Sequence, residues 1–470
     1  VLWVCAALSD ADRAAAREAP DGLIEVTDGA DGGPGSAVRM LDIPATTFQR
    51  AYNSVANSTL WFVHHMLYDT PDQPSFGPAF RREWESFRSY NTAFAAALAK
   101  GATAEEPTAG PVKAMVQDYH LPLVPRMLAE QCPDVRIAHF SHTPWAPPDY
   151  YRLLPAEVGR EVLDGMLAAD HAGFLCQRWA DAFVACCAEF LGAEVNHQAG
   201  TVRHRGHVTT VGVHALGVDA AGLRERAAAT DVQAQVAALS ESTAGRQLIV
   251  RIDRTELSKN IVRGLSAYRE LLASHPEWHG RVTHLAFAYP SRHDLPEYRE
   301  YTGRVQRMAA EIVDEFGTDA WAPLILQVND DYPRSLAAYQ LADVLLVNPI
   351  RDGMNLVAKE GPILAGRGCA LVLSTEAGAA AELGQQAILV NPFDVTQTAE
   401  ALHQALSMPE AERQRRRVAL AQAAAALPPT AWLQAQLDAL DAVADPAEPV
   451  SPALVRWTSG RLARLRHRAR

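Results

Sequence analysis

The decapeptide Arg351-Asp352-Gly353-Met354-Asn355-Leu356-Val357-Ala358-Lys359-Glu360 follows a short apolar run, 344–347, and leads into a helical pattern predicted to begin at about Met354. Backbone N–H groups at a helix start lack internal partners and make an anion site. Asp352 and Gly353 fall at the turn, where a residue without a side chain lets backbone approach a ligand closely. Glu360 is placed about two turns down the helix, within reach of a ribose. The same residues also fit an ordinary strand–helix turn capped by Asp352.

Four further constellations follow other apolar runs. Arg254-Thr255-Glu256-Leu257-Ser258-Lys259 lies beyond the run 248–251. Two cations at the carboxyl end of a strand suit a diphosphate, Arg254 as a bidentate fork and Lys259 as a point charge; the alternative is a plain surface pair. Gln117-Asp118-Tyr119-His120 follows 114–117, and Ser141-His142-Thr143-Pro144-Trp145 follows 136–140, so Asp118 and His142 can converge on one pocket from neighbouring strands. Arg292, in Tyr289-Pro290-Ser291-Arg292-His293 after 282–288, is either a phosphate ligand or a solvent-facing loop residue. The chain contains no GxSxG elbow, no Walker A lysine loop, no HExxH and no Asp-x-Asp-Gly-Thr run.

The elements that must position these groups alternate. Strands are predicted at 114–117, 136–140, 173–176 and 211–216, then at 248–251, 282–288, 324–328, 344–347, 370–373 and 387–390, with helical stretches such as 260–274 and 298–316 between them. Continuous apolar runs indicate strands buried on both faces of a parallel sheet. Over 470 residues this predicts two doubly wound α/β domains, 1–217 and 218–429, with the boundary near Gly217-Val218-Asp219 and no strand in 220–245. Ligands in such folds sit beyond the carboxyl ends of the strands, so the cleft between the domains is the expected site. Residues 446–470, with Pro446, Pro449 and Pro452 and a basic run from Arg456, read as a flexible tail.

A net charge of −12 argues against nucleic acid as the main partner. The six cysteines form no CxxC pair and read as reduced and structural. No apolar run is long enough for a membrane helix, which at about 18 residues is the lower limit, and a cytoplasmic location is expected. The chain begins at Val1 directly in a predicted strand, so an N-terminal piece is expected to precede it.

From about Leu60 to about Leu440, these segments together resemble the trehalose-6-phosphate synthase family of retaining glycosyltransferases; Ser335-Leu336-Ala337-Ala338-Tyr339 resembles its actinobacterial branch. The resemblance implies the GT-B arrangement, two Rossmann-like domains facing across a cleft, with a helix at about 430–445 crossing back to the first. It implies glucosyl transfer from a nucleotide-glucose to glucose 6-phosphate, with no metal or other cofactor and with homo-oligomers possible. Carried over, Arg254 and Lys259 bind the donor diphosphate, and Asp352 and His142 contact the donor glucose, with the amides of Gly353, Met354 and Asn355 nearby. The amides of Leu356 and Val357 reach the diphosphate and Glu360 holds the ribose. Asp118, Tyr119 and Trp84 line the acceptor site, and Arg292 helps bind the acceptor phosphate.

Two departures concern the acceptor. The family's Gly-rich loop has no counterpart here, and Met66 stands where the family has a tyrosine. GDP-glucose and UDP-glucose both fit as donor. The alternatives are a transferase acting on glucosylglycerol-phosphate-type or cyclitol phosphate acceptors, and a non-catalytic sugar-phosphate-binding regulator of the same fold; the intact Gly353-Met354-Asn355-Leu356 wording weighs against the cyclitol branch.

Overall fold

The computed structural model describes residues 1–26, 36–104, 110–292, 294–366 and 368–443. His293 and the basic tail at 446–470 lie outside them.

The second half of the chain forms a six-stranded, wholly parallel sheet in the order Leu324–Gln327, Val282–Tyr289, Gln247–Arg254, Val344–Val347, Ala370–Ser374, Ile388–Val390. All four residues of Val344–Val347 are buried, as expected of a central strand covered on both faces. The strand anticipated at 248–251 runs on to Arg254, which pairs with Tyr289, so Arg254 ends the strand rather than following it in a loop. Helices Ile261–Ser274 and Val395–Ser407 pack on one another over this sheet through Leu265, Tyr268, Leu402 and Ala405.

The first half contains a second six-stranded sheet, ordered Lys113–Gln117, Arg136–Ser141, His171–Phe174, His207–Val213, Thr201–His204, Glu194–Asn196. Its first four strands are parallel and the last two join by antiparallel pairing. The strand expected at 173–176 lies earlier, at His171–Phe174, because Cys176 is the cap residue of helix Gln177–Leu191. The one expected at 211–216 is drawn back to His207–Val213 by its hairpin partner Thr201–His204.

The strand expected at the chain's start is present as Leu2–Ala6, while several other elements lay outside the sequence reading. Leu2–Ala6, Leu23–Val26 and Ser36–Leu41 form a separate three-stranded sheet, packed on the long helix Pro78–Ala104. A helical run made of Ala45–Phe48, the wider π-wound Gln49–Leu60 and Trp61–His65 lies against the same helix. The strandless stretch after Val218 is helical, Ala220–Ala227 and Thr230–Thr243, with the Asp219 carboxylate accepting from Ala221 and Gly222 N–H.

The chain passes between the sheets twice, and the two passages touch: a Cβ on Gly217 would lie 1.7 Å from the Leu427 carbonyl oxygen. After the second passage, helix Pro429–Asp441 packs on strands Arg136–Ser141 and His171–Phe174, with Trp432 against Phe140 at 5.0 Å. All six cysteines are free thiols. Among the described residues no helix is long and apolar enough to cross a membrane.

Candidate active site

The parallel strands of both sheets deliver their last residues to one place. On the first sheet, Gln117 pairs with Phe140, so Asp118 and His142 leave adjacent strand ends. Asp118 adopts a left-handed backbone, φ 69°, and its N–H donates to Phe140 O at 2.7 Å. Its Oδ1 accepts the His142 N–H at 3.1 Å. Burial pushes the Asp118 carboxyl up to about 6, against the N–H donors of Tyr119 and His142 and the charge of Arg292. The His142 ring faces Gln117 Oε1 at 2.9 Å through Nε2, and burial lowers it to about 4, so it is neutral at pH 7.

Tyr119 turns the other way. Its hydroxyl donates to Asn57 Oδ1 at 2.8 Å and accepts from Arg292 Nη2 at 3.2 Å. Arg292, also left-handed at φ 47°, lies 4.0 Å over the Trp61 ring and donates to Tyr298 at 2.7 Å. Tyr119 and Arg292, which the sequence places 173 residues apart, therefore share a hydrogen bond between the two sheets.

On the second sheet, a single turn Leu257–Lys259 follows Arg254 and ends at Asn260 with φ 59°. The Asn260 amide donates to Asn348 O and Pro392 O at 3.0 and 2.7 Å, fixing this turn to the strand end before Asp352. Lys259 Nζ then meets Asp352 Oδ2 at 2.6 Å. Burial alone would neutralise both groups. The Asp352, Glu256 and Asp253 carboxylates instead hold the ammonium above its usual value, and Lys259 with the Asn355 amide holds Asp352 below the usual carboxylate range. Arg254 is more exposed, 59%, with Nε 3.2 Å from Glu256 Oε1.

The helix after Asp352 begins at Val357, not at about Met354. Asn355 takes φ 78°, and its side-chain oxygen accepts the Ala358 N–H at 3.3 Å, so Asn355 rather than Asp352 caps the turn. The N–H groups of Leu356 and Val357 have no acceptor among the described residues. Glu360 consequently sits in the first turn, not about two turns along, and its Oε2 accepts from Tyr339 at 3.1 Å. At Gly353 the two halves come close together. A Cβ there would lie 2.0 Å from His142 O, and its own carbonyl accepts the Trp179 indole N–H at 2.9 Å. Met354 is buried behind it.

Trp84 is not brought to this cluster. It is 2% exposed in the core of helix Pro78–Ala104, stacks on Phe87 at 5.0 Å, and donates to Glu161 at 2.9 Å. The apolar face of a long helix claimed it. Met66 lies beside the site instead: it ends helix Trp61–His65 at φ 54°, and its sulfur is 3.0 Å from Arg351 Nη1. Arg351 spans both halves, 4.6 Å over Trp179 and 3.6 Å from Glu376, which also pairs with Arg178 at 2.8 Å.

Four site residues were not singled out from sequence. Asn57, Trp61 and His65 come from the helical run before Met66, where Trp61 and His65, four positions apart, stack at 3.8 Å. Glu256 lay inside the Arg254–Lys259 hexapeptide; it is fully buried, accepts from Ser291 at 3.0 Å, and its Oε2 has no partner among the described residues.

Two Rossmann-like α/β units with facing strand ends, the second carrying a buried cation–carboxylate pair at its strand ends, define a GT-B glycosyltransferase, and the solved structures agree: a UDP-forming α,α-trehalose-phosphate synthase of Burkholderia vietnamiensis superposes with TM-score 0.79 at 29% identity, over 94% of this chain and 99% of that one. Residues 34–442 match glycosyltransferase family 20, and the chain belongs to it, the family of the trehalose-phosphate synthases. It is 34% identical over 446 residues to the validamine 7-phosphate valienyltransferase of Streptomyces hygroscopicus subsp. limoneus, covering 94% of this chain and 86% of that protein. It is 32% identical over 374 residues to the UDP-forming α,α-trehalose-phosphate synthase of Schizosaccharomyces pombe, covering 78% and 70%.

Proposed function

We propose that this glycosyltransferase moves glucose from GDP- or UDP-glucose to glucose 6-phosphate with retention, giving trehalose 6-phosphate. The Lys259–Asp352 contact at 2.6 Å carries the reading, because it sets a cation for a leaving phosphate beside a carboxylate for sugar hydroxyls. As the anomeric C–O bond breaks, negative charge grows on the departing diphosphate. Lys259, Arg254 and the free N–H groups of Leu356 and Val357 meet that charge, which stabilises the transition state more than the ground state. Glu360 takes the ribose, and neutral His142 a donor hydroxyl. The acceptor lies by Asp118, Tyr119 and Arg292. Its hydroxyl attacks on the face the diphosphate leaves, and its proton passes to the leaving phosphate. Asp352 is engaged by Lys259 and Asn355, which argues against a nucleophilic role of the kind retaining hydrolases use.

The cations supply the charge neutralisation, so we propose that transfer needs no metal; turnover unchanged in chelator agrees, and turnover that chelator abolishes and Mg2+ restores does not. Free thiols and a sugar-nucleotide donor fit a reducing cytoplasm. The decisive assay mixes the protein with glucose 6-phosphate and each nucleotide-glucose, following nucleotide release and the disaccharide phosphate. Absence of release with every donor sinks the proposal.

A second reading, a cyclitol phosphate acceptor, is favoured by the 94% coverage against a relative named for validamine 7-phosphate, and by Met66 at the site. A panel of acceptor phosphates separates the two: strong preference for glucose 6-phosphate removes the second reading. A non-catalytic regulator is disfavoured by the presence of both donor cations.

A further inference from the structure

Helix Trp61–His65, from the first half, ends against the donor turn of the second. Met66, which caps it, has its sulfur 3.0 Å from Arg351 Nη1, and Asp352 is the next residue. His65 is thereby brought into the neighbourhood of the Lys259–Asp352 pair, and it feels both charges. Burial lowers its ring to about 3; the Trp61 carbonyl and the Asp352 charge oppose that shift, and Lys259 adds to it. At pH 7 the ring is neutral and carries a single N–H.

The place of that hydrogen is fixed. His65 Nδ1 lies 2.9 Å from the Trp61 carbonyl oxygen. A carbonyl only accepts, so Nδ1 holds the hydrogen and Nε2 is left as a lone pair. The ring cannot turn over without losing this bond, and stacking clamps it further. The His65 and Trp61 ring centroids are 3.8 Å apart, and the Arg292 guanidinium lies 4.0 Å from the same indole. At those distances one face has no room for both, so His65 and Arg292 take opposite faces of Trp61. His65 is 2% exposed, yet its Nε2, unlike His64 Nδ1, is not sealed from solvent, and it has no partner among the described residues.

An oriented acceptor is therefore open beside the donor pair. Asp352 Oδ2 takes Lys259 at 2.6 Å and Asn355 at 3.1 Å, while Oδ1 has no donor among the described residues. A lone pair repels an ionised phosphate oxygen and accepts from a hydroxyl, so the group it suits is on a sugar and not on the diphosphate. We propose that His65 Nε2 accepts a hydrogen bond from a hydroxyl of the donor glucose and makes the enzyme select for that hydroxyl. This rests on the nucleotide-glucose reading and adds to it a contact from the first half, so the donor sugar is read from both sides of the cleft. A site built to take a hydroxyl's hydrogen penalises a sugar that lacks it, because the buried acceptor is then left unpaired.

Titration calorimetry on the full chain tests this with UDP-glucose or GDP-glucose, whichever the wild type uses, and with the matching UDP or GDP. His65→Phe keeps a ring on Trp61 and removes the acceptor. It should bind the nucleotide-glucose roughly 10-fold more weakly and the nucleoside diphosphate as wild type does. A merely structural loss would weaken both ligands alike. His65→Gln, whose amide oxygen reaches about as far as Nε2, should recover part of the affinity. With donors lacking one glucose hydroxyl at a time, the wild type should lose roughly 10-fold in kcat/KM at one position where His65→Phe loses nothing further. Equal affinity of wild type and His65→Phe for the nucleotide-glucose, equal weakening of both ligands, or the same deoxy penalties in both proteins overturns the proposal, while wild-type transfer leaves the nucleotide-glucose reading in place. A coupling seen only along a deoxy acceptor series also overturns it. A wild type that neither binds nor turns over any nucleotide-glucose removes that reading and this proposal together. Should His65→Phe fail to fold, His65→Asn, which keeps a donor for the Trp61 carbonyl and falls short of the Nε2 position, is held to the same criteria.

Discussion

Arg254 and Lys259 are both cations of one hexapeptide, yet their surroundings predict different costs of removal. Arg254 is 59% exposed, so Arg254→Ala should lower kcat on the order of 100-fold and leave the melting temperature in place. Lys259 is 17% exposed against Asp352, so Lys259→Ala should lower kcat similarly and also destabilise the fold by about 3 kcal/mol, because it strands a buried carboxylate. Adding Asp352→Asn to Lys259→Ala should recover most of the stability and none of the activity. Thermal melts and steady-state rates on the four proteins check this; equal melting temperatures for Lys259→Ala and wild type contradict the buried pair. Asp118 gives a pH prediction. Its carboxyl titrates at about 6 in the fold and near its ordinary value when unfolded, so the native state binds the proton more tightly. Its contribution to stability is full below about pH 4 and is lost as pH rises through 6, a change of about 3 kcal/mol. The stability difference between wild type and Asp118→Asn, from urea unfolding at several pH values, should therefore shift in favour of Asn as pH rises from 4 to 7; a flat difference contradicts the burial argument. Lys259 and Asp118 were legible in sequence because each follows a strand end. Glu256 was not, since nothing in a sequence distinguishes a solvated glutamate from one sealed in at 0% exposure.

At the scale of elements, the loop from Asp352 to Leu356 works only because two chain segments approach closely. The His142 carbonyl oxygen lies where a Cβ of Gly353 would be, 2.0 Å away, and Gly378 presses on the other side, its own Cβ position 1.9 Å from Gly353 O. Gly353→Ala should thus push His142 and the helix start apart, with activity falling at least 100-fold and the Trp179–Gly353 hydrogen bond lost. A crystal structure and rate of the alanine variant test it, and near-wild-type turnover would falsify the close-approach argument. The sequence placed a helix start after the strand Val344–Val347, since a short apolar run followed by a Gly at a turn marks a passage from strand to helix. It misplaced the start by three residues because Asn355, in a left-handed conformation, does the capping assigned to Asp352. Trp84 failed for the opposite reason: a tryptophan on an amphipathic helix is buried by whichever face the core demands, and that face packs toward Glu161 rather than the cleft.

At the scale of the whole molecule, a prominent acid liability is histidine burial. His64, His65, His120, His171 and His284 are lowered to about 3 and His139, His142 and His214 to about 4, each chiefly by burial. In the unfolded chain each protonates near 6.5, so the native state binds fewer protons and stability falls as pH falls. Each costs about 1.4 kcal/mol per pH unit below 6.5, and together they outweigh a typical total stability of about 5–15 kcal/mol before the folded values are reached. Cooperative unfolding is expected at about pH 5, followed by circular dichroism; a folded protein at pH 4 would show that these rings are solvated. Contacts that join the halves include Arg178 on Glu376, Arg351 on Met66 and over Trp179, Arg292 on Tyr119, and the touching passages at Gly217 and Leu427. By itself the sequence determined the parallel sheets and the strand ends at which chemistry sits, because burial on both faces and the end of an apolar run are local, periodic signals. Which of those ends meet was decided only by the tertiary structure. The Lys259–Asp352 pair spans 93 positions and follows from the strands Gln247–Arg254 and Val344–Val347 lying side by side in one sheet; the Tyr119–Arg292 bond spans 173 and follows from how the two sheets pack; no local pattern encodes either.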